Sequence, residues 1–329
     1  MKEKNINDDF VESVEDDAFN RQHKSVQVIE TNGDIISDQV LKPGEAVQIY
    51  NIKQREGFNK KKEKDEETEA LKEHTRYNGG DFVHFMFSFL QPAFIKLEQR
   101  CGGNKANIHI IRFIILATYL NFKNNLYDTN DNRIKKSSLS KIWMTENNRK
   151  SISETYNILM EEGFIFETKE GYILINNEII KKGNMDDYEK IMKKDFSKNY
   201  TRLFSSNIQN MYENTNPRNR KQLANLFKAI PYINFRYNVF CENPTEVDIK
   251  KIIPMSWSDL ARLCGYDEKK HLSKFKKDFF NLSIDGYDVL GEFKTKEGYR
   301  IIVNPKVYYS GTNVEDIKYL YALFDMPVA

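Results

Sequence analysis

Two stretches of the chain carry hydrogen-bonding side chains at helical spacing. Residues 147–157 offer amides, hydroxyls, a guanidinium and an ammonium: Asn147, Asn148, Arg149, Lys150, Ser153, Glu154 and Asn157. Residues 267–277 offer mainly ammonium groups: Lys269, Lys270, Ser273, Lys274, Lys276 and Lys277. Arg, Asn and Lys pair with guanine and adenine edges, whereas a Lys ammonium lacks the fork geometry of Arg and suits phosphate. We expect the first stretch to read bases and the second to clamp a phosphate backbone.

A solvated helix face is the competing interpretation of either stretch, because Lys commonly occupies such faces. It is the better interpretation of one isolated helix. Here each stretch follows a short capped helix and precedes a β-hairpin, which favours DNA contact, since the second helix of a helix-turn-helix lies in the major groove. Lys169 and Lys296 lie at the hairpin tips, where contact with a DNA backbone and plain exposure are equally good interpretations.

The elements that would position these side chains occur twice. In the first set, Ser137 and Ser138 can cap a short helix, the next helix ends near Glu162 at Gly163, and a hairpin turns at residues 169–171. In the second set, Ser256 or Ser258 caps a helix bearing Leu260, residues 267–282 form the next helix, and a hairpin turns at residues 296–298. This order is typical of a winged helix.

Further elements precede both sets. Phe82, Phe85, Met86 and Phe89 have helical spacing and predict a helix that ends before Pro92. Apolar patterns predict two more helices, from Asn107 to about Phe122 and over residues 222–230. Near the start, an Asn-Gly pair at residues 32–33 between β-branched residues predicts a β-hairpin.

The chain also repeats itself in sequence. Residues 119–126 read YLNFKNNL and residues 232–239 read YINFRYNV, 113 positions apart. Residues 168–172 and 295–299 both read TKEGY, 127 positions apart. A repeat that keeps its order over this length indicates that one supersecondary unit was duplicated.

Composition bounds the possible functions. The 329 residues suffice for two domains. The first 20 residues carry two bases and seven acids, net −5, the opposite of a secretory n-region, and they leave +7 for the remainder. A basic body suits an anionic partner, although solubility charge alone is an equal alternative. Three cysteines without a CxxC pair indicate a reducing cytosol.

Several catalytic and metal motifs do not occur in the sequence. No Gly precedes a Lys, so there is no Walker A loop, and the five histidines form neither His-x-His nor HExxH. We therefore expect no enzyme activity, no cofactor and no metal. His109 is interpreted as a buried core histidine, and Trp143 and Trp257 as core anchors. Tyr308 and Tyr309 lack the neighbours of a nucleophile.

Residues 26–184 resemble the RepL family of plasmid replication proteins from Gram-positive bacteria. The resemblance rests on Glu-Thr-Asn-Gly-Asp-Ile-Ile at residues 30–36, Gly-Asp-Phe-Val at 80–83, Glu-Glu-Gly-Phe-Ile at 161–165 and Asn-Glu-Ile-Ile-Lys-Lys-Gly at 177–183. The second copy ends on Ile-Val-Asn-Pro at 302–305 and Tyr-Tyr-Ser-Gly at 308–311. The resemblance implies origin binding, and the doubled unit departs from the family pattern, as does Asn177-Glu178 where the second copy has Asn-Pro.

We therefore expect a mainly α protein with small β-hairpins and two tandem winged-helix (helix-turn-helix) domains. The expected organisation is an acidic disordered tail (1–25), a β-hairpin arm (26–58), a charged linker or solvated helix (59–78), winged helix 1 (79–184), a helical or charged connector (185–205), winged helix 2 (206–312) and a C-terminal helix (313–329).

The expected function is sequence-specific binding of double-stranded DNA, as a plasmid or phage replication initiator that binds origin repeats. A transcriptional regulator of a mobile element is the alternative, and a partition adaptor whose second winged helix binds protein is a third. Candidate partners are double-stranded DNA, host replication proteins and a second copy of the chain as a homodimer, with no membrane. The expected location is the cytoplasm, on nucleoid or plasmid.

Overall fold

The computed structural model describes residues 24–29, 35–41, 59–62, 65–66, 68–69, 72, 81–145, 148–183, 200–296, 298–309 and 314–324. Contacts divide the chain into residues 1–66 and residues 67–329. In the first division, strand β1 (Lys24–Ile29) pairs antiparallel with β2 (Ile35–Leu41), as a hairpin requires. The predicted turn at Asn32-Gly33 and the tail up to residue 23 lie outside the described residues. The described positions among residues 59–72 are helical and exposed, as a solvated helix would be.

The second division is mainly helical with small antiparallel sheets, which confirms the coarse fold class. Its first repeat unit, residues 82–183, contains β3 (Phe82–Met86), α1 (Phe87–Cys101), α2 (Gly103–Ala117), a 3-10 turn (Lys136–Ser138), α3 (Leu139–Ile142), α4 (Arg149–Glu161), β4 (Ile165–Glu167), β5 (Ile173–Ile175) and β6 (Ile180–Lys181).

The second repeat unit, residues 200–309, has a similar order of strand, helices and hairpin, with two more 3-10 turns, one extra small hairpin and, among the described residues, an isolated bridge at Tyr308 in place of β6. It contains β7 (Tyr200–Phe204), α5 (Ser205–Asn214), a 3-10 turn (Arg220–Gln222), α6 (Leu223–Ala229), 3-10 turns (Ile230–Tyr232 and Ile249–Lys251), α7 (Trp257–Leu263), α8 (Glu268–Phe280), β8 (Ser283–Ile284), β9 (Tyr287–Asp288), β10 (Leu290–Thr295) and β11 (Gly298–Val303). Helix α9 (Val314–Leu323) follows, within the segment predicted as a C-terminal helix.

The repeated asparagine of YxNF has the same role in both units. The Asn121 Oδ1 atom accepts from the backbone N–H of Lys123 and of Asn125. The Asn234 Oδ1 atom accepts from the backbone N–H groups two and three residues on. These side-chain turns close a β-loop by mimicking a backbone turn. The repeated words in the sequence therefore encode a loop shape.

A second asparagine closes each hairpin. The Asn176 side chain donates to the Gly163 carbonyl at 2.8 Å, and the Asn304 side chain donates to the Asp288 carbonyl at 2.9 Å. Each then accepts a backbone N–H from the residue two positions on. The hydrogen bonds therefore align Asn176, and not Asn177, with Asn304. The sequence comparison of Asn177-Glu178 with Asn-Pro was one residue out of register.

One buried cluster spans both repeat units, so they share a core. It includes Phe85, Ile114 and Leu159 of the first unit and Leu203 and Phe227 of the second. A smaller cluster packs α9 onto the second unit through Ile317, Leu320 and Tyr321. Strand β3 lies between β6 and β7 in a three-stranded sheet, so the central sheet also joins the two units.

Three predicted boundaries were wrong. Residues 82–86 form strand β3 instead of a helix, and β3 is buried on both faces, which gave it apolar residues at helical spacing by coincidence. Helix α1 passes through Pro92. The proline forfeits one hydrogen bond to Ser88, but both residues are exposed, so water can take its place. Helix α2 begins at Gly103 and ends at Ala117, where the YLNF loop starts.

The connector prediction also needs adjustment at its end. Residues 200–204 form β7, because they pair with β3 along its whole length. Residues 184–199 lie outside the described residues. Among the described helices, none combines the length and the apolar character that crossing a bilayer requires.

Candidate nucleic-acid interface

Helix α4 displays the first predicted set of side chains on its outer face. The Asn148 side chain caps the helix by accepting from the Ser151 backbone N–H at 3.0 Å. Ile152, Tyr156 and Leu159 are buried beneath the helix. The exposed residues are Asn148, Arg149, Lys150, Glu154 and Asn157, whereas Ser153 is half-buried. Asn147 lies outside the described residues.

Polar contacts hold α4 on α2. The Arg112 guanidinium donates to the Ser151 carbonyl at 2.9 Å and to the Thr155 hydroxyl at 2.6 Å. His109 Nδ1 lies 3.0 Å from the same hydroxyl. Burial lowers the pKa of His109 to about 4, so the ring is neutral near pH 7. The prediction of a buried core histidine is confirmed, and Arg112 and His109 set the orientation of α4.

Trp143 supports Arg112, the residue that holds α4. Its indole is fully buried and donates to the Arg112 carbonyl at 2.8 Å, while the Arg112 guanidinium lies 5.3 Å from the ring centroid. At the matching place in the second unit, Cys264 donates to the Asn225 carbonyl at 3.5 Å. Trp143 is a core anchor, as predicted, and so is Trp257, which is 5% exposed.

Helix α8 displays the second predicted set. Asp267 caps it by accepting from the backbone N–H groups of Lys269 and Lys270. Phe275 and Phe279 are buried, with ring centroids 6.3 and 6.2 Å from Trp257. The outward face carries five exposed predicted residues: Lys269, Lys270, Ser273, Lys274 and Lys277. Lys276 is half-buried, and its ammonium lies 5.4 Å from the Trp257 ring centroid.

The exposed cations of α4 and α8 form either long ion pairs or none. Lys270 lies 3.8 Å from Asp267, and Lys274 lies 3.9 Å from Asp278. Exposed pairs this long contribute little stability, about 0–1 kcal/mol. In the part of the chain that the structure describes, Arg149, Lys150, Lys269 and Lys277 form no ion pair within 4.0 Å. These cations are available to an anionic ligand.

Both predicted hairpins are present. Strands β4 and β5 pair from Ile165 opposite Ile175, and β10 and β11 pair from Leu290 opposite Val303. Lys169 and Lys296 are exposed at the two tips. The turn glycines Gly171 (φ 80°) and Gly298 (φ 124°) adopt backbone conformations that side chains disfavour. The structure thus places each hairpin lysine beside a tight turn and away from the core.

A third basic group was not predicted from the sequence. Arg133 and Lys135 both lie over the Tyr172 ring, at 4.2 and 4.6 Å from its centroid. Lys136 lies 4.4 Å from the ring centroid of Tyr156, a residue of α4. Cation–π contacts of this kind hold a charged side chain in place without neutralising it. The Arg-x-Lys-Lys run ahead of Ser137 and Ser138 is the sequence signal for this group. The predicted capping of the short helix by these serines was wrong, because Ser138 precedes α3 without a side-chain cap hydrogen bond.

The described residues also bear on other kinds of site. They contain no cluster of three His, Cys, Asp or Glu side chains that could hold a metal ion. One open surface hollow of about 590 Å³ lies near α3 and α5, with Tyr119, Asp128, Lys141 and Glu213 in its lining. Its charges are mixed, unlike those of the lysine-rich outer face of α8.

The predicted residues thus fall into two sets on two helices, α4 and α8, each with a hairpin lysine of the same repeat unit. Comparisons with known protein families, with curated proteins and with solved structures found no match for this chain.

Proposed function

We propose that the chain binds double-stranded DNA sequence-specifically through two winged helices and acts as a RepL-type replication initiator of a plasmid or phage. One observation carries the proposal. Each repeat unit presents a capped helix whose outer face is polar or basic, after a short helix and before a hairpin with a lysine at its tip.

The β-contacts support a winged helix in each unit. In the first unit, Asn125 bridges to Leu174 of β5 and Lys135 bridges to Tyr172. In the second, Val239 bridges to Ile302 of β11. In both, the segment ahead of the short helix runs beside the returning strand of the hairpin. A third strand at this position is what a winged helix requires.

The two outward faces suit different parts of a duplex. The α4 face combines a guanidinium, an ammonium and amides, which can pair with base edges. The α8 face is mainly ammonium, which suits phosphate. Because both faces belong to one chain, the second contact forms at a high effective concentration once the first has formed. An initiator would use this to hold origin repeats while host replication proteins are recruited.

Paired lysine substitutions test DNA binding by α8. Lys270→Ala/Lys274→Ala should weaken binding about tenfold and lower the slope of log affinity against log salt by about 1.8, because two phosphate contacts are lost. The control is Lys250→Ala/Lys251→Ala, which removes the same charge. Lys251 is an exposed lysine that lies 3.9 Å from Asp248, much as Lys270 lies 3.8 Å from Asp267.

The readout is fluorescence anisotropy on duplexes from the region upstream of the gene. Equal behaviour of the two variant pairs would reject α8 as a DNA contact and favour the adaptor. A plasmid that carries the candidate origin, with this gene supplied in trans, tests the biological role. Replication supports an initiator, and promoter control without replication replaces it with a transcriptional regulator.

A further inference from the structure

The two repeat units are joined through their first strands, and the pairing has two-fold character. Strands β3 and β7 begin the two units and run antiparallel. His84, in the middle of β3, lies opposite Arg202, in the middle of β7, and Phe82 lies opposite Phe204. A strand that pairs antiparallel with its own repeat, centre to centre, places a local two-fold axis at that centre.

Reciprocal side-chain contacts agree with this axis. Gln91 of α1 donates to the Tyr232 hydroxyl of the second unit at 3.0 Å. Gln209 of α5 donates to the Thr118 hydroxyl of the first unit at 2.8 Å. Gln91 and Gln209 lie equally far along the chain from the starts of β3 and β7, and Thr118 precedes Tyr119, the counterpart of Tyr232 in the repeat. Each glutamine therefore contacts the other unit at adjacent positions of the repeat.

The axis extends to the hairpins. After its hairpin, the first unit returns to its own first strand, with Ile180 opposite Phe85. The second unit does the same, with Tyr308 bridged to Leu203. Both returning residues donate their backbone N–H to the hairpin-closing asparagine carbonyls of Asn176 and Asn304. The two-fold relation thus covers the first strands and the residues that return to them, and we extend the same rotation to α4 and α8.

We propose that the preferred DNA target is one site with two half-sites of unlike sequence in inverted orientation. The inference rests on the proposed DNA binding. Two-fold related helices match a duplex in which half-sites are inverted, with centres about 10 base pairs or a multiple apart. The half-sites are unlike because the α4 and α8 faces differ in charge and in hydrogen-bonding groups. A palindrome and a tandem direct repeat are both poorer matches.

Selection of bound duplexes from a random library with the full-length chain gives the first test. The selected duplex is compared with one in which the half-site read by α4 is reversed in place and with one in which that half-site is scrambled. We expect reversal to cost at least about tenfold in affinity, as much as scrambling, because the base contacts of α4 are lost. A reversed duplex that binds equally well or better overturns the inference and leaves DNA binding intact.

Tethered cleavage tests orientation without relying on base reading by α8. Iron–EDTA is attached at Lys169→Cys or at Lys296→Cys, with Cys101, the half-buried cysteine, changed to Ser. We expect the two tethers to cut at positions related by a two-fold axis at the centre of the site. Cuts displaced in the same direction by a simple translation overturn the inference. If no duplex is retained in the selection, the proposed DNA binding fails and this inference fails with it.

Discussion

Helices α4 and α8 occupy matching places in the two repeat units but differ in how they are held and in what they expose. Helix α4 is fixed by hydrogen bonds from buried Arg112 and by Trp143, and its charged residues, two basic and two acidic, balance. Helix α8 is fixed by aromatic packing of Phe275 and Phe279 on Trp257, and it carries five lysines against two acids. The two helices share a cap and a length but differ in surface charge, and under the proposed function this difference assigns base reading to α4 and phosphate binding to α8.

The largest expected contrast is between Trp143, which donates to the Arg112 carbonyl of α2, and Cys264, which donates to the Asn225 carbonyl of α6. Trp143→Ala should lower the free energy of unfolding by about 3–5 kcal/mol, because it empties a fully buried site beside Arg112. Cys264→Ala, at the matching place, should cost only about 1 kcal/mol. Urea unfolding measures both. Equal losses would show that the two units are seated in the same way.

The next contrast concerns acid stability. The pKa of His109 is lowered by burial from 6.5 to about 4. Between these values the unfolded chain binds a proton that the folded chain does not. The contribution of His109 to the free energy of unfolding is therefore fully present above pH 6.5. It falls as the pH drops toward 4, by about 3 kcal/mol in total.

Gln222 replaces this histidine at the matching place of the second unit. The variant His109→Gln should remove the pH dependence due to this residue. Buried His84, whose pKa is also about 4, keeps its own share of the pH dependence in both proteins, so the change in slope reports on His109. Urea unfolding at pH 7, 6 and 5 measures the effect. An unchanged slope would show that the pKa of His109 is not lowered in the folded chain.

A third contrast compares Asn157 of α4 with Lys277 of α8, both exposed on the outward faces. Asn157→Ala should lower the ratio of specific to non-specific affinity about tenfold and leave the salt slope unchanged. Lys277→Ala should weaken binding to all duplexes and lower the salt slope by about 0.9. Anisotropy titrations at several salt concentrations separate the two outcomes. The reverse pattern would exchange the roles of the helices.

The smallest expected effects come from the hairpin tips. Lys169→Ala and Lys296→Ala should each weaken DNA binding about two- to fivefold, because each removes one exposed phosphate contact. Lys251→Ala is the matched single-lysine control. Tip variants that bind like this control would show that the hairpins do not touch the duplex.

Much of the fold could be predicted because local signals agreed with tertiary packing. Several elements were predicted from apolar spacing together with a cap or turn residue, and they are present: the helix that ends at Gly163, the helix capped by Ser256 and both hairpins. Residues 82–86 were wrongly predicted as helical, because a strand that is buried on both faces lacks the alternation of apolar and polar residues that marks a half-buried strand. Only the non-local pairing with β7 distinguishes this strand from a helix.

The candidate site divides in a similar way. The helical spacing of the apolar residues was enough to predict that the outward side chains are exposed, as they are at Lys150, Asn157, Lys270 and Lys274. The supports of α4 did not, because the contacts from Arg112 to Ser151 and Thr155 join residues far apart in the chain. The ring-bound cations Arg133, Lys135 and Lys136 were missed because the loop that carries them has no period of its own.

The pairing of β3 with β7 has a consequence for dosage. A two-fold binder made of separate subunits must first associate, so its occupancy of a site rises with a higher power of its concentration. Here both halves arrive on one polypeptide, joined by a shared sheet. We expect occupancy to rise with the first power of concentration, which gives a graded response to copy number where a dimerising protein would give a threshold.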